Sequence, residues 1–352
     1  MHFENITIFI NKIQFMKLIL AVFVLWSTAL PQIDFGQNSS ADSVSAHVVN
    51  FFKKFWYEKM KISRALLRAF PKSLSDGLRF NTATKIDINI AEKEYKNYCS
   101  KLKQMLPNGV LEFKARDDAP DSVFIEDCLV TFQKKCLVTH PGHLARRIET
   151  IGLKKQLLDW KLPFEKLDEM KEIDHNAFCD GGDVLELPNK YPWFGMPFNK
   201  KNINKKIFKI IFFFLKQKSW CAAVVAKSLG VNVITIDIAK AAKYEILHLK
   251  SALTWVDSNL LVGYDIPVMH NIFSEMQDKC KLPLEVVWVN SLACANVLRI
   301  NNCLLVPQGF PQCQHQIQKK LVGKSIQVDH VDNSELRKLD SGLTCLSVLL
   351  SI

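Results

Sequence analysis

No two of the ten cysteines are spaced C-x-x-C, so the chain carries neither a zinc ribbon nor a zinc finger. The ten are scattered along 352 residues and do not form the dense pattern of a small disulfide scaffold. Long apolar runs are also missing. The two strongest candidates are 18–26, which stops at nine residues, and 207–215, which Lys209 interrupts, against the roughly 20 a membrane-spanning helix needs. Acidic residues are absent between Pro188 and Trp220, where eight lysines fall. That stretch supplies most of the net charge of +11, and the remaining chain is nearly balanced. No recognised nucleic-acid-binding motif accompanies the lysines, so the basic charge reports one segment and implies no nucleic-acid partner.

What is present is a globular composition, 48% apolar and 23% charged, with enough chain for one large domain or two ordinary ones. Residues 1–59 read as an N-terminal extension. Within it, Lys17, the apolar run Leu18–Trp26 and Ser27-Thr28-Ala29 have the parts of a secretory signal over 16–29. A second plausible start lies at Met60, where the folded pattern begins, and Asn38-Ser39-Ser40 is a glycosylation acceptor only on the secretory route. From 120 onward a strand–strand–helix–strand unit recurs. Copies are expected at 252–289 and about 44 residues later at 296–328, with an earlier one at 129–160, whose helix is expected to run unbroken from Leu144 to Trp160. Steady units of this kind predict a repeat architecture rather than a doubly wound sheet. The stretch 188–220, rich in Lys, Asn, Ile and Phe, breaks the pattern and reads as a lineage-specific insertion or translated non-coding sequence.

Four clusters could carry chemistry. Asp121, Glu126 and Asp127 flank Val123-Phe124-Ile125, read as a short strand with Asp121 and Asp127 on one face. They are either turn acids or a cage for a cation whose donors need acceptors. Asp180-Gly181-Gly182-Asp183 is either a turn or a close backbone approach that brings Asp180 to a strand end. His248, between leucines, is a structural residue or a general acid/base. Cys345, between a glycine turn and the apolar Val348–Leu350, is a buried small hydrophobe or a thiolate facing a cleft.

In this order and spacing the clusters resemble dimethylarginine dimethylaminohydrolase, of the guanidine-modifying pentein superfamily. The resemblance runs from about Ser63 to the C-terminus outside 188–220. It includes Ala69–Leu74 (AFPKSL), Pro120–Asp127 (PDSVFIED), Pro141-Gly142 with Arg146-Arg147, His248-Leu249-Lys250, and Ser334–Asp340 (SELRKLD). It implies an α/β fold, a five-bladed propeller of ββαβ modules around a central site, in a catalytic domain over 60–352. It implies hydrolysis of asymmetric dimethylarginine or monomethylarginine to citrulline, which would spare nitric oxide synthesis. The roles it implies are Cys345 as nucleophile, His248 as acid and base, Asp180 orienting His248, Asp121, Glu126 and Asp127 around the guanidinium, Leu78 and Leu339 lining the pocket, and Arg146 on the α-carboxylate. A second carboxylate-binding arginine is expected soon after Asp183, but no arginine lies between Arg147 and Arg299. No cofactor or metal is required, although zinc could inhibit at Cys345 and His248. The resemblance implies a cytoplasmic monomer or homodimer, with secretion the alternative if 16–29 acts as a signal. The alternatives in function are an arginine deiminase or amidinotransferase-like enzyme, or a catalytically silent protein of the same fold.

Overall fold

The computed structural model describes residues 61–186, 209–214, 220–257 and 259–352. The chain divides into two units, Met1–Trp56 and Tyr57–Ile352. The first of these, with the signal-like segment and Asn38, lies outside the described residues.

The second unit begins with β1 (Arg64–Arg68), followed by the helix Ile88–Met105 and β2 (Val110–Phe113), which runs parallel to β1. Asp87 starts that helix, its carboxylate accepting from the amides of Asn89 and Ile90. The helix buries Tyr95, Tyr98 and Leu102 on one face. The same order then repeats. β3 (Leu129–Phe132) and β4 (Lys135–Val138) form an antiparallel pair, and β5 (Lys166–Glu169) returns parallel to β4 after the helix Leu153–Asp159. β6 (Val184–Glu186), β7 (Lys209–Phe214) and β8 (Asn232–Asp237) follow the same rule, with the helix Trp220–Leu229 between the last two. So do β9 (Leu253–Asp257), β10 (Leu260–Tyr264) and β11 (Glu285–Val289), and then β12 (Leu298–Ile300), β13 (Cys303–Pro307) and β14 (Gln327–Val331). Their helices are Pro267–Cys280 and Pro311–Leu321. Finally β15 (Val348–Leu350) lies antiparallel to β1, so the last strand of the chain completes the first sheet. Each of the five sheets has three strands among the described residues.

The expected unit is therefore present, including the copies beginning near 129, 253 and 298. Three local expectations are corrected. The helix expected over 144–160 is broken: a 3-10 turn spans Leu144–Thr150 and the α-helix starts only at Leu153, because Gly152 between them sits at φ +82°. The stretch Val123–Ile125 is not a strand; two consecutive 3-10 turns, Pro120–Val123 and Ile125–Cys128, carry the acids instead. Six residues of the lysine-rich stretch, β7, are the central strand of their sheet, paired on one edge with β6 and on the other with β8. Their Ile and Phe content favours extended backbone. The rest of 187–219 lies outside the described residues. No helix among the described residues is long and apolar enough to cross a membrane.

One regularity positions the site. The segment that enters the first strand of each unit carries the chemistry-bearing residues. Glu126 and Asp127 precede β3, Asp180 and Asp183 precede β6, His248 and Lys250 precede β9, Asn296 precedes β12, and Thr344 and Cys345 precede β15. These segments pack against one another: the turn at 344–346 against that at 125–128, the latter against 181–183, and 181–183 against the short helix that opens after His248.

Candidate active site

Cys345 lies in the 3-10 turn Thr344–Leu346 and is 8% exposed. Its Sγ accepts a hydrogen bond from the Gly342 amide at 3.3 Å. Tyr98, from the first helix, reaches in to donate to the Leu343 carbonyl at 3.0 Å and to meet Ser347 Oγ at 2.7 Å, which ties the turn to the helix behind it. Burial raises the thiol pKa, and the negative charges of Glu126 and Asp127 raise it further, against a small opposing effect of the Gly342 amide and Lys250. At neutral pH the group is a thiol until a positive charge arrives.

His248 has an acid at each ring nitrogen. Its Nδ1 lies 3.7 Å from Asp127 Oδ1, and its Nε2 lies 3.9 Å from Asp180 Oδ2. Burial alone would lower the imidazole pKa, but Asp127, Asp183 and Asp180 outweigh it and raise the value. The approach depends on Gly182. A Cβ there would stand 2.8 Å from both Asp127 Oδ1 and His248 Nδ1, so only glycine lets the two side chains meet over this turn. The Gly182 amide meanwhile donates to Asp127 Oδ1 at 3.0 Å.

The acids are more deeply committed than the sequence implied. Asp127 is held below the usual carboxylate range: burial would raise it, but His248, Arg146 and the Gly182 amide prevail. Asp121 is raised by burial, with Arg146 and the Leu78 amide opposing. That amide donates to both Asp121 oxygens, at 3.2 and 3.1 Å. The Leu78 side chain remains exposed, while Leu339 is buried beside Gly77. Glu126 is raised by burial, which Lys250 opposes. Its Oε1 takes Lys250 Nζ at 2.6 Å and its Oε2 takes the Thr344 hydroxyl at 2.8 Å. Burial also raises Asp180 and, more strongly, Asp183, whose Oδ1 is buried without a hydrogen-bond partner.

Arg146 is the clearest departure from the expected roles. Expected to hold a substrate carboxylate, it is instead engaged internally. Its Nη1 meets Asp127 Oδ2 at 2.6 Å, Nε and Nη2 form a fork on Glu149 at 2.9 Å each, and Nη2 also reaches the Asp121 carbonyl at 3.4 Å. A guanidinium with its donors spent this way is a cross-brace between the two acidic turns. Asp121 and Asp127 therefore converge through this arginine and not through a shared strand face.

Sequence reasoning gave no role to Glu149, Asp183, Lys250, Asn296 or Thr344. Glu149 could have been found from its i, i+3 spacing to Arg146, and Asn296 from its place just before β12. Asp180, Asp183 and His248 each offer one ligand atom within 4.8 Å of the others, so a divalent cation would compete for the same imidazole. Among the described residues here, the acids Asp121, Glu126, Asp127, Glu149, Asp180 and Asp183 outnumber the fixed cations Arg68, Arg146 and Lys250. The site is short of positive charge, beside a buried thiol.

Comparison with known proteins gives this arrangement a context. No family model matches the chain. The N(G),N(G)-dimethylarginine dimethylaminohydrolase of Streptomyces coelicolor is 26% identical over 299 residues, covering 83% of this chain and 98% of the relative. Its namesake from Pseudomonas aeruginosa is 23% identical over 283 residues, covering 80% and 97%. These similarities support assigning the chain to the dimethylarginine dimethylaminohydrolases of the pentein superfamily. The fold of the dimethylarginine dimethylaminohydrolase family is seen in the Pseudomonas aeruginosa enzyme complexed with citrulline, which superposes with a TM-score of 0.63 at 21% identity over 82% of this chain and 100% of that one. A pentein-fold neighbour outside the dimethylarginine dimethylaminohydrolases is the N-terminal domain of a cyanobacterial arginine dihydrolase, with a TM-score of 0.62 at 14% identity over 82% and 97%.

Proposed function

We propose that the chain hydrolyses N-methylated arginine, as asymmetric dimethylarginine or monomethylarginine, to citrulline plus dimethylamine or methylamine. It is a dimethylargininase-type hydrolase. The observation that carries the substrate class is the surplus of buried carboxylates over fixed cations around a buried thiol, which a guanidinium would correct. In this reading the five sheets are the blades of a propeller, and the five segments that enter them line its centre.

The chemistry follows from the charges. Bound between Asp121, Asp127 and their neighbours, the substrate cation favours ionisation of Cys345, whose proton leaves to solvent. The thiolate attacks the guanidinium carbon, forming a C–S bond and a tetrahedral adduct. His248, kept protonated by its acids, donates to the methylated nitrogen. The C–N bond breaks, the amine departs and a thiouronium remains on Cys345. Neutral His248 then takes a proton from water, the oxygen adds to carbon, the C–S bond breaks and citrulline forms. Asp180 steadies the imidazole through Nε2, and Asp127 serves both His248 and the substrate.

The arginine dihydrolase neighbour favours a second reading, deimination of unmethylated arginine by the same thiol. Citrulline release from dimethylarginine and from arginine, assayed side by side with wild type and Cys345→Ser, separates the two. Turnover of the methylated substrate that disappears in Cys345→Ser is the expected result. Turnover of arginine alone would replace the first reading with the second, and no citrulline from either substrate with a folded protein would overturn both.

A further inference from the structure

Each role proposed above falls on a segment that enters β3, β6, β9 or β15. The segment entering β12 has been given none, yet it contributes one of the most enclosed polar side chains of the molecule. Asn296 is 1% exposed. Its Nδ2 donates to the Lys250 carbonyl at 2.8 Å and to Thr344 Oγ1 at 3.1 Å, and its Oδ1 accepts from the Thr344 amide at 2.9 Å. Thr344 passes its hydroxyl hydrogen to Glu126 Oε2 at 2.8 Å, and Lys250 Nζ holds Glu126 Oε1 at 2.6 Å. The four residues close a ring, Asn296–Thr344–Glu126–Lys250–Asn296.

The members of the ring are neighbours of the reacting groups. Thr344 precedes Cys345, Lys250 lies two residues after His248, and Glu126 precedes Asp127. The amide has also taken space from the nucleophile turn. A Cβ on Gly342 would come within 2.1 to 2.5 Å of the Asn296 carboxamide, so residue 342 must lack a side chain for the two to pack. The Gly342 amide is the donor to Cys345 Sγ. One carboxamide thus fixes the turn that holds the thiol, the backbone that leads from the imidazole, and, through Thr344, the acid beside them.

We infer that Asn296 is a positioning residue for the nucleophile, holding Cys345 at a fixed setting relative to His248 and the carboxylates. An amide suits this task where a charged side chain would not. It offers a donor and an acceptor together, matching the free carbonyl of Lys250 and the free amide of Thr344, and adds no charge to a site whose function rests on its charge balance. The inference rests on the proposed hydrolysis for its kinetic arm only.

The test uses the full-length chain as wild type, Asn296→Ala, Thr344→Val and Thr344→Ser. Two quantities are read: kcat and KM for citrulline release from dimethylarginine, and the rate of Cys345 alkylation by iodoacetamide, followed by peptide mass spectrometry. Displacing a nucleophile by a fraction of an ångström lowers kcat by roughly 30- to 100-fold. Asn296→Ala is expected to show that loss with KM within about threefold, and an alkylation rate raised about tenfold as the turn loosens around the thiol. Thr344→Val keeps the shape but not the hydroxyl and should follow Asn296→Ala, whereas Thr344→Ser should recover most of the wild-type behaviour. A lowered melting temperature with kcat and alkylation rate unchanged would make Asn296 a purely structural residue and overturn the inference. So would Thr344→Ser as impaired as Thr344→Val. If Asn296→Ala does not fold, the Thr344 pair carries the test. If wild type releases no citrulline, the proposed hydrolysis fails, while the alkylation rates still decide the role of Asn296.

Discussion

Replacing Gly182 by alanine is the smallest change that reaches the proposed catalytic pair. The added methyl carbon would stand 2.8 Å from Asp127 Oδ1, 2.8 Å from His248 Nδ1 and 2.9 Å from His248 Cγ. Ordinary van der Waals contact for such a carbon begins near 3.4 Å, so one partner must retreat by about 0.6 Å, beyond what a close-packed interior absorbs without strain. Asp127 cannot yield easily, because Arg146 and the Gly182 amide itself hold its two oxygens. The imidazole is the movable group, and its displacement opens the gap to Asp180. We expect Gly182→Ala to lose about 1–3 kcal/mol of stability and about 100-fold in kcat, with KM changed much less. Gly142→Ala is the companion measurement, since its Cβ would meet Asp180 Oδ2 at an ordinary 3.4 Å and should leave kcat within about threefold. Steady-state citrulline assays and thermal melts on both variants suffice. Wild-type kcat in Gly182→Ala, or equal losses in the two variants, would refute the claim that Gly182 sets the His248–Asp127 approach.

Three further outcomes follow from the same geometry. Lys250→Met leaves Glu126 buried beside a hydroxyl with its charge uncompensated, and should cost about 3–5 kcal/mol in chemical denaturation; a loss under about 1 kcal/mol would mean that Glu126 is already neutral. The pH dependence of stability should carry two opposite signatures. His248 binds its proton more tightly folded than unfolded, so its contribution is complete below its unfolded value of about 6.5 and is lost as pH rises through the elevated folded value. Asp127 binds its proton more weakly folded, so its contribution is complete above about pH 4 and is lost as pH falls through its depressed value; melts of His248→Asn and Asp127→Asn across pH 2–9 should each remove one limb. Deleting 188–220 should abolish cooperative unfolding, because it removes the strand to which both β6 and β8 are paired, and a deletion variant with a wild-type melt would show that β7 is dispensable.

The repeat was legible because its strands alternate with helices at near-constant spacing, and because turns such as Asn301-Asn302 punctuate the hairpins. Boundaries were legible to within a few residues except where backbone geometry intervened, as at Gly152, whose positive φ divides the expected helix in two. The acids, His248 and Cys345 were legible as types, each weak alone and specific only in their common order. What could not be read was how the acids are used. Arg146 looks in sequence like a free anchoring cation, and only three-dimensional packing reveals that Glu149 and Asp127 consume it. The place of β7 was hidden for a related reason. A Lys- and Phe-rich run with no alternation gives no sign of its register, which is set by the neighbours it pairs with.

The pairing of β15 with β1 has a consequence for how the molecule comes into being. Leu66 meets Val348 and Arg64 meets Leu350 across nearly the whole length of the sequence. A ribosome releases residues in order, so the first sheet stands with one edge bare until Val348–Leu350 has been made. The thiol travels on that closing piece. A nascent chain can therefore hold its acids and its imidazole without assembling a reactive centre until residues 345–350 emerge, and the nucleophile reaches its companions in the same event that shuts the sheet.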